Sequence, residues 1–457
     1  MQLENDLGRD DIKKLVRRIA IPSMLAQFVS VLYSIVDRMY IGNIADVGAT
    51  ALAGVGVTGP VVTLIGSVAF LVGVGGAPLM SMRMGEGNKE RAKEILGNAF
   101  LLLVVLAVIL VAAVFPFREP MLRLFGASET TLPYAMTYFT IYLSGTMFAL
   151  LSVGMNQFII SQGFSKIGMI SVMLGAVLNI ILDPVFIFLL DMGVAGAALA
   201  TVLSQFASCI YVLRFLFGKK VPIKITFGHY HFHIMRRIMM IGFSPFFIIA
   251  LDNVMIIAMN AILQNYGGPS EGDMLVTCAT IAQSFMLVVT MPMGGITGGT
   301  QTILAYNYGA GQTERVKQAQ KYIFIMTILY TTLLFILARA AGPLFVRLFT
   351  TDPVISVEAF RAIKIFTLAI IPLAIQYEIV DGFTGLAQVQ YSFPLSTFRK
   401  GVYFVALFIL PHFFGARAAF YAEPISDIIS PVVSCIIYVY GMRKILHKKN
   451  AEMGTLR

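Results

Sequence analysis

The chain has 457 residues, of which 58% are apolar and only 13% are charged. A soluble domain carries about 25% charged residues, so this composition excludes an ordinary soluble protein. The net charge of +10, from 34 basic and 24 acidic residues, is attributed to membrane orientation and to contact with anionic lipids. Nucleic-acid binding is not expected.

Apolar runs of about 20 residues, long enough to cross a bilayer, recur from end to end and predict twelve membrane-spanning helices. The predicted fold is all-α, with six helices in an N-terminal lobe (residues 1–220) and six in a C-terminal lobe (238–457) that ends in a short basic tail. A cytoplasmic linker (221–237) joins the lobes. In chain order the predicted helices cover residues 16–44, 50–82, 95–117, 131–161, 165–190, 195–217, 238–264, 274–304, 320–339, 357–387, 393–414 and 417–442.

The two halves of the chain repeat one another. Residues 85–93 read Gly-x-Gly-x-x-Glu-Arg-x-Lys and recur as residues 309–317, an offset of 224 positions (309 − 85). Pro22 is matched by Pro245 at nearly the same offset, 223 positions (245 − 22). Because each repeat has an even number of helices, both enter the bilayer in the same direction, with pseudo-two-fold symmetry about the membrane normal. Repeats of this kind are typical of transporters.

Basic residues concentrate in alternate connections between the predicted helices. Under the positive-inside rule these connections lie in the cytoplasm, as do both termini. The first apolar run lacks a short hydrophobic core with a small-residue cleavage site, so we expect it to remain as a helix. The basic segments are the N-terminal segment, residues 83–93, 214–237 and 315–321, and the C-terminal tail.

Sequence motifs of enzymes and metal sites are missing. The sequence has no G-x-S-x-G or H-E-x-x-H motif, and the Gly-x-Gly loops lack the lysine of a phosphate-binding loop, so no enzyme is predicted. The His-Tyr-His-Phe-His run at 229–233 lies in the basic linker, where a solvated connection is favoured over a metal site. The three cysteines fall inside predicted helices and are interpreted as reduced packing residues.

Two aspartates, Asp37 and Asp183, lie inside predicted helices. A carboxylate at the bilayer centre costs about 2.5 to 3.5 kcal/mol on the insertion scale. Both lie roughly 10 Å below the outer surface, counting 1.5 Å per helical residue. Asn179 shares a helix face with Asp183, and Thr201 places a hydroxyl at matching depth. These groups could form an oxygen-rich pocket for a hard cation, or a carboxyl pair that carries a proton.

The repeat offset indicates that this cluster is specific to the first half. Adding 224 to the positions of the two aspartates and the asparagine gives Ala261, Leu407 and Tyr403, none of which is acidic. Acids required only to fold a symmetric scaffold would be expected in both halves. The asymmetry therefore favours a specialised ion site in the N-terminal lobe.

Structural roles for the aspartates remain as alternatives. Asp37 could pair with the adjacent Arg38, although neighbouring side chains point about 100° apart on a helix. Asp183 could cap a helix that breaks at Pro184. Either role would account for an intramembrane acid without ion transport.

Other polar residues within the predicted helices are candidates for lining a substrate cavity. For each of them, hydrogen bonding between helices is the alternative. Two acids of the last helix are four residues apart and so share one face, which we expect to be buried rather than exposed to lipid. The candidates are Ser30, Asn156, Gln157, Gln283, Gln376, Glu423 and Asp427.

Several segments resemble the multidrug and toxic compound extrusion (MATE) transporters. They are Pro22, the Val-Asp-Arg-Met-Tyr-Ile-Gly segment at 36–42, the Gly-x-Gly loop at 85–87 and the Asn-Ile-Ile-Leu-Asp-Pro segment at 179–184. The resemblance covers essentially the whole chain and is greatest to the bacterial branch with MepA-like and DinF-like exporters. It implies that Asp37, Asn179, Asp183 and Thr201 form the cation-coupling site, and that Pro22 is the kink of helix 1.

The resemblance also implies a function. The expected protein is an antiporter of the bacterial inner membrane that couples inward Na⁺ or H⁺ flow to efflux of amphipathic, often cationic, organic compounds. The substrate would leave through a central cavity between the lobes by alternating access, which would contribute to antibiotic resistance. No cofactor is expected beyond the coupling ion, and the expected protein is a monomer in contact with membrane lipids.

Other interpretations have less support. The NorM-type branch has further acids in its C-terminal lobe; Asp252, Glu378 and Asp381 lie nearby, but in registers that do not match. A flippase of lipid-linked sugars or lipids, from the same wider superfamily, would need a strongly basic central cavity, and few intramembrane Lys or Arg residues are found. An ion channel would need a filter repeated around a pore, which asymmetric acids do not provide.

Overall fold

The computed structural model describes residues 5–219 and 221–455, most of which are helical. No β-strand occurs within these ranges. Short 3₁₀ segments (Phe115–Phe117 and Ala416–Tyr421) and one π-helical segment (Val185–Leu189) connect α-helices. The α-helices are α1 (Ile12–Gly42), α2 (Gly48–Gly85), α3 (Lys89–Val114), α4 (Arg118–Leu124), α5 (Leu132–Ile160), α6 (Ser165–Pro184), α7 (Gly193–Phe217), α8 (Phe232–Gly309), α9 (Thr313–Ala340), α10 (Gly342–Arg347), α11 (Pro353–Phe366), α12 (Ile370–Gly385), α13 (Val389–Phe414) and α14 (Ala422–Thr455).

Helix α8 contains two membrane-spanning segments. Gly268, with φ of 61° and ψ of −165°, interrupts the helix and separates Phe232–Gly268 from Glu271–Gly309. Glycine reaches this left-handed backbone region without the steric cost that a Cβ atom imposes. The break falls between the predicted helices 238–264 and 274–304, so the prediction of two spans here is confirmed.

Eleven helical segments of the described chain are long and apolar enough to cross a membrane, one fewer than the predicted twelve. The difference lies at 357–387, where the single predicted helix is divided into α11 and α12, of 14 and 16 residues. Pro372 explains the break, because it has no backbone N–H to donate to the carbonyl four residues earlier and its ring clashes with that turn. Together the two short helices form the fourth crossing of the second repeat in chain order, which brings its total to six and gives two six-helix bundles.

The turn between α11 and α12 is stabilised by side chains. Thr367 is buried, and its hydroxyl donates to the carbonyl of Ile363 at 2.7 Å. The Arg339 guanidinium of α9 donates to the same hydroxyl at 3.2 Å and stacks on the Phe335 ring. A break in a membrane-spanning helix needs such partners because its free backbone groups cannot bond to water.

The chain divides into two compact units: unit 1 (Met1–Asp10 and Ile21–Ile249) and unit 2 (Asp11–Ala20 and Ala250–Arg457). In unit 1, α5 is the most buried span and packs against α2, α3, α6 and α7. Glycines allow close helix crossings in this unit. A Cβ atom on Gly242 would lie 1.7 Å from the carbonyl oxygen of Leu71, and one on Gly75 would lie 2.2 Å from that of Ile238. The start of α8 therefore contacts α2 backbone to backbone.

Unit 2 has an apolar core formed by α8 to α14. It includes Met259, Leu263 and Leu373, which are fully buried, and the edge-to-face pair of Phe285 and Phe345, whose ring centroids are 5.1 Å apart. Helix α14 packs on α12 and α13, and α12 packs on α9. These contacts place the polar faces of α12, α13 and α14 next to one another.

Candidate functional site

Asp183 lies where α6 ends, one residue before Pro184 and the π-helical segment. Its side chain is fully buried, and single-turn π segments occur frequently at functional sites. Asn179, one turn earlier, donates to Asp183 Oδ1 at 3.1 Å and lies 3.5 Å from the hydroxyl of Thr201 on α7. The capping alternative is not supported, because the Asp183 carboxyl accepts from the Asn179 side chain and from no backbone N–H in the described chain.

Asp37 of α1 completes this cluster. Its carboxyl group lies within hydrogen-bonding reach of that of Asp183. The adjacent Arg38 is exposed and forms no ion pair with Asp37 in the described part of the chain. Two carboxyl groups in contact repel each other unless they share a proton or a cation. The structure therefore brings together all four residues that the sequence analysis assigned to the cation site.

Tyrosines and a glutamine surround the acids. Tyr33 lies one turn before Asp37, and the stacked rings of Tyr138 and Tyr142 have centroids 6.4 Å apart. Tyr138 lies beside Thr201 and Tyr142 lies beside Gln205, whose Oε1 has no hydrogen-bond partner among the described residues. The sequence analysis missed these residues. Spacing would have found Tyr33 and Gln205, since each is four residues from a predicted ligand on the same helix face.

Three buried oxygens of the cluster have no hydrogen-bond partner among the described residues: Oδ1 of Asp37, Oδ1 of Asn179 and Oδ2 of Asp183. Buried polar atoms in proteins are normally paired, so unpaired atoms require an explanation. Hard cations prefer oxygen ligands, and a proton could bridge the two carboxyl groups. The residues present therefore fit either coupling ion.

The other candidates of the first repeat lie outside this cluster. Ser30 is partly buried and donates to the carbonyl of Ala26 in its own helix at 3.0 Å. Asn156 accepts a hydrogen bond from Ser171 at 3.2 Å, which connects α5 to α6. Gln157 is partly exposed and packs over a glycine of α2. For Asn156 the geometry favours interhelical hydrogen bonding.

In the second repeat, Gln376 is buried and connects three helices. Its amide donates to the carbonyl of Leu395 on α13 at 3.3 Å and accepts from Ser434 on α14. Gln283 is partly buried in the second span of α8. Pro22 lies inside α1, which continues through it from Ile12 to Gly42.

Glu423 and Asp427 bind an arginine that the sequence analysis overlooked. Arg399 of α13 is buried and contacts Asp427 at 2.7 Å and Glu423 at 3.0 Å. The next residue, Lys400, is also buried and pairs with Asp252 of α8. Two of the few basic residues within the spans therefore lie side by side in α13, and the sequence analysis did not name them. An adjacent Arg-Lys pair inside an apolar run was the signal that could have revealed them.

The acids that were compared with the NorM-type branch have separate environments. Asp252 pairs with Lys400, and Asp381 accepts a hydrogen bond from Thr297. Glu378 is buried, and its Oε1 has no hydrogen-bond partner among the residues that the structure describes.

The His run at 229–233, in the connection between the repeats, is held by α3. The side chain of Asn98 in α3 accepts a hydrogen bond from the backbone N–H of His231 at 2.8 Å.

Sequence comparisons agree with the repeat and the fold. The MatE family model matches residues 22–185 and 246–409, two stretches offset by 224 positions (246 − 22). The chain is 25% identical over 446 residues to the multidrug export protein MepA of Staphylococcus haemolyticus, covering 97% of this chain and 96% of that protein. It is 30% identical over 353 residues to a FAD transporter of Shewanella oneidensis, covering 75% of each.

Solved structures share the fold. An outward-facing multidrug resistance MATE transporter matches with a TM-score of 0.89, 23% identity and coverage of 96% of this chain and 98% of that chain. A MOP superfamily transporter from Pyrococcus furiosus Vc1 matches with a TM-score of 0.90, at the same identity and coverage. The matched repeats extend over more than half of the chain, which therefore belongs to the MatE family, the multidrug and toxic compound extrusion transporters.

Proposed function

We propose that the protein is a secondary active exporter that couples inward flow of H⁺ or Na⁺ to efflux of amphipathic, often cationic, organic compounds. The carboxyl pair of Asp37 and Asp183 is the observation on which this proposal depends. Asp183 is fully buried and Asp37 is partly buried within membrane-spanning helices, and neither forms an ion pair with a basic residue in the described chain. The name of the Staphylococcus relative, a multidrug export protein, supports the same substrate class.

The geometry suggests how a cation would act on unit 1. Asp37 belongs to α1, whereas Asp183 and Asn179 belong to α6 and Thr201 to α7. A bound proton or Na⁺ removes the repulsion between the carboxyl groups and holds the three helices together. Loss of the cation restores the repulsion, so the two states of the site favour different positions of α1. Substrate and cation then act on one conformational equilibrium, which is the requirement for coupled exchange.

The proposal includes a location. The protein would lie in the bacterial cytoplasmic membrane as a monomer, with both termini in the cytoplasm as the basic connections indicate. It would act without catalysis and with no cofactor other than the coupling ion. Its other contacts would be with membrane lipids.

A flippase for lipid-linked sugars is less well supported. Such a protein would need a strongly basic cavity, and Arg399 and Lys400 are the buried bases that could provide one. Three acids contact these two bases, so the group carries a net charge of −1 (2 − 3). The structure thus offers buried bases but not the excess of positive charge that the alternative requires.

The test is export into inverted membrane vesicles, with a Na⁺ gradient and a pH gradient imposed separately and rhodamine 123 as a fluorescent cation. Asp37→Asn and Asp183→Asn each keep the size of the side chain and remove its charge. We expect gradient-driven export to fall by roughly tenfold or more, the effect of losing a charge-assisted interaction. The protein should still insert and fold.

Asp191→Asn is the matched control. Asp191 is exposed, eight positions after Asp183, and has a φ of 51° that asparagine also tolerates. Export by this variant should equal that of the wild type. If both variants of the carboxyl pair retain gradient-driven export, the proposed coupling site is excluded.

A further inference from the structure

The charged group of unit 2 occupies helices equivalent to those of the cation site. Adding 224 to the bounds of α1, α6 and α7 gives 236–266, 389–408 and 417–441, which fall in the first span of α8, in α13 and in α14. In the first repeat this trio holds acids with no basic partner in the described chain. In the second repeat it holds Asp252, Arg399, Lys400, Glu423 and Asp427, joined by ion pairs.

Two halves of this group differ in how firmly they are held. Arg399 is bound by two carboxylates, one of them fully buried, so it fixes α13 to α14. Lys400 has one direct ion-pair partner in the described chain, Asp252 of α8. Glu423 and Asp427 attract Lys400 electrostatically from a greater distance. The Lys400–Asp252 pair is therefore the part of the group that can exchange partners.

Exposure shows which member of the pair is replaceable. The Lys400 side chain is 5% exposed, whereas the Asp252 side chain is 48% exposed. Asp252 lies near the middle of the span Phe232–Gly268, and a carboxylate at that depth cannot face lipid without a large cost. Its exposed side must face a water-filled space. Within the pair, the Asp252 carboxylate is therefore accessible to water, whereas the Lys400 ammonium is buried on its protein side.

This arrangement selects for the sign of a ligand's charge. A cation that binds Asp252 must displace the Lys400 ammonium and leave it buried without its partner, which is strongly unfavourable. An anion needs to displace only Asp252, and that carboxylate can turn into the adjacent water. The anion then keeps Lys400 paired. The exchange of anions is therefore favoured over the exchange of cations at this position.

The geometry points to Lys400 as a recognition residue for the carboxylate or phosphate group of an exported amphipathic compound, which takes the place of Asp252. This inference depends on the proposed export function and extends its substrate class to anionic and zwitterionic compounds. Arg399 acts as a positioning residue. By fixing α13 to α14, it holds the next residue of the helix at the water-facing edge.

The experiment compares two dyes that share the xanthene ring system and differ in charge: carboxyfluorescein, an anion, and rhodamine 123, a cation. The full chain is reconstituted in phosphatidylcholine vesicles, and transport is driven by the gradient that the wild type uses. We expect Lys400→Met to lower the ratio of carboxyfluorescein to rhodamine 123 transport about tenfold. Asp252→Asn, which releases Lys400 from a competing charge, should raise this ratio.

The double variant separates recognition from simple pairing. If Lys400 serves only to neutralise Asp252, removing both charges should restore the wild-type ratio. Recognition predicts that K400M/D252N keeps the low ratio of Lys400→Met. Lys364→Met is the control, because Lys364 is an exposed lysine of α11 in the same unit, and it should leave the ratio unchanged.

The outcomes distinguish this inference from the proposed function. A wild type that exports rhodamine 123 but not carboxyfluorescein overturns anion recognition alone, whereas a wild type that exports neither dye also overturns the export function. Equal loss of both dyes in Lys400→Met overturns recognition. Adding phosphatidylglycerol to the vesicles identifies the source of the anionic group: inhibition of carboxyfluorescein transport points to lipid headgroups, and no inhibition points to soluble compounds.

Discussion

Individual residues in the two repeats stabilise buried charge by different means. Asp37 and Asp183 contact each other and leave oxygens unpaired, so a mobile cation or proton is needed to neutralise them. Arg399 instead neutralises two carboxylates through ion pairs of 3.0 Å or less, although Oδ2 of Asp427 has no hydrogen-bond partner among the described residues. Removing one member of a buried ion pair typically costs about 3–5 kcal/mol, so the ion pairs of Arg399 are a permanent part of the fold. The first group is the one suited to ion exchange.

A substitution at Thr201 tests whether a single hydroxyl oxygen contributes to cation binding at this site. Thr201→Val removes the hydroxyl near Asn179 and Tyr138 with little change in volume. A hydrogen bond or ligand of this kind contributes about 0.5–1.5 kcal/mol. We therefore expect the cation concentration for half-maximal transport to rise roughly two- to tenfold. The measurement is rhodamine 123 export during titrations of Na⁺ and of pH.

Thr63→Val is the control for this substitution. Thr63 is exposed on α2, and its hydroxyl donates to a carbonyl of its own helix at 2.9 Å. Its replacement should leave both titrations unchanged. Unchanged titrations in Thr201→Val as well would mean that Thr201 is not a ligand.

The sequence predicted the cation-site residues better than it predicted the charged group of unit 2. Asp37, Asn179, Asp183 and Thr201 stand out because each is a polar residue at a similar depth in an apolar run. Arg399 was overlooked because the partners that stabilise it lie on α14, 24 and 28 positions later in the chain. Helix spacing relates residues of one helix, whereas contacts between helices depend on packing that the sequence does not specify directly.

At the scale of helices, apolar length predicted where the spans lie but not where they break. The run at 357–387 is long enough to cross the membrane as one helix, so its length predicted a single span. It gave no indication that Pro372 would divide the run into two helices. The end of α6 shows the same limit, since the change from α- to π-helix after Pro184 has no signature in hydropathy. Helix α14 continues to Thr455, beyond the predicted 442, because residues 443–455 contain no proline.

The crossing of α2 and α8 provides a prediction about stability. Gly242→Ala would place a Cβ atom 1.7 Å from the carbonyl oxygen of Leu71, so the two backbones must separate. Overpacking of this kind typically costs about 1–3 kcal/mol. We expect the melting temperature of the purified protein in detergent to fall by several degrees. The measurement is a thermal unfolding curve.

Gly298→Ala is the matched control for the helix crossing. Gly298 also lies within α8, and a Cβ atom there would meet no atom within 4 Å. Alanine favours helix more than glycine by about 0.8–1.0 kcal/mol, so this variant should be at least as stable as the wild type. Equal melting temperatures for Gly242→Ala and the wild type would show that the crossing is not close-packed.

At the scale of the whole molecule, duplication explains both the agreement and the asymmetry of the two halves. The offset of 224 residues is the same in the sequence motif, in the matched family segments and in the helix trios that carry the charged groups. Each trio holds acids within its spans, but only in the second trio do buried bases form ion pairs with those acids in the described chain. The sequence alone therefore predicted the symmetry of the scaffold. The different roles of the two trios could be recognised only from the contacts between helices in the structure.

Membrane topology tests the twelve-span architecture. Single cysteines are introduced into a background in which the three native cysteines are replaced by alanine, and a membrane-impermeant thiol reagent is applied to intact cells. We expect labelling at Ser128 and Thr351, because these positions are exposed in weakly basic connections. Cysteines at Asn88, Gln312 and Lys448 should react only after permeabilisation, since they lie in basic connections on the cytoplasmic side.

Two comparisons within this set address different features of the fold. Asn88 and Gln312 occupy equivalent positions in the two repeats, 224 residues apart. If both are labelled from the same side, an even number of spans lies between them. Lys448 reports on the broken helix, because α11 and α12 must together cross the membrane for the C-terminus to return to the cytoplasm. Labelling of Lys448→Cys in intact cells, with Asn88→Cys protected, would show that the broken pair does not cross and that the second repeat has five spans.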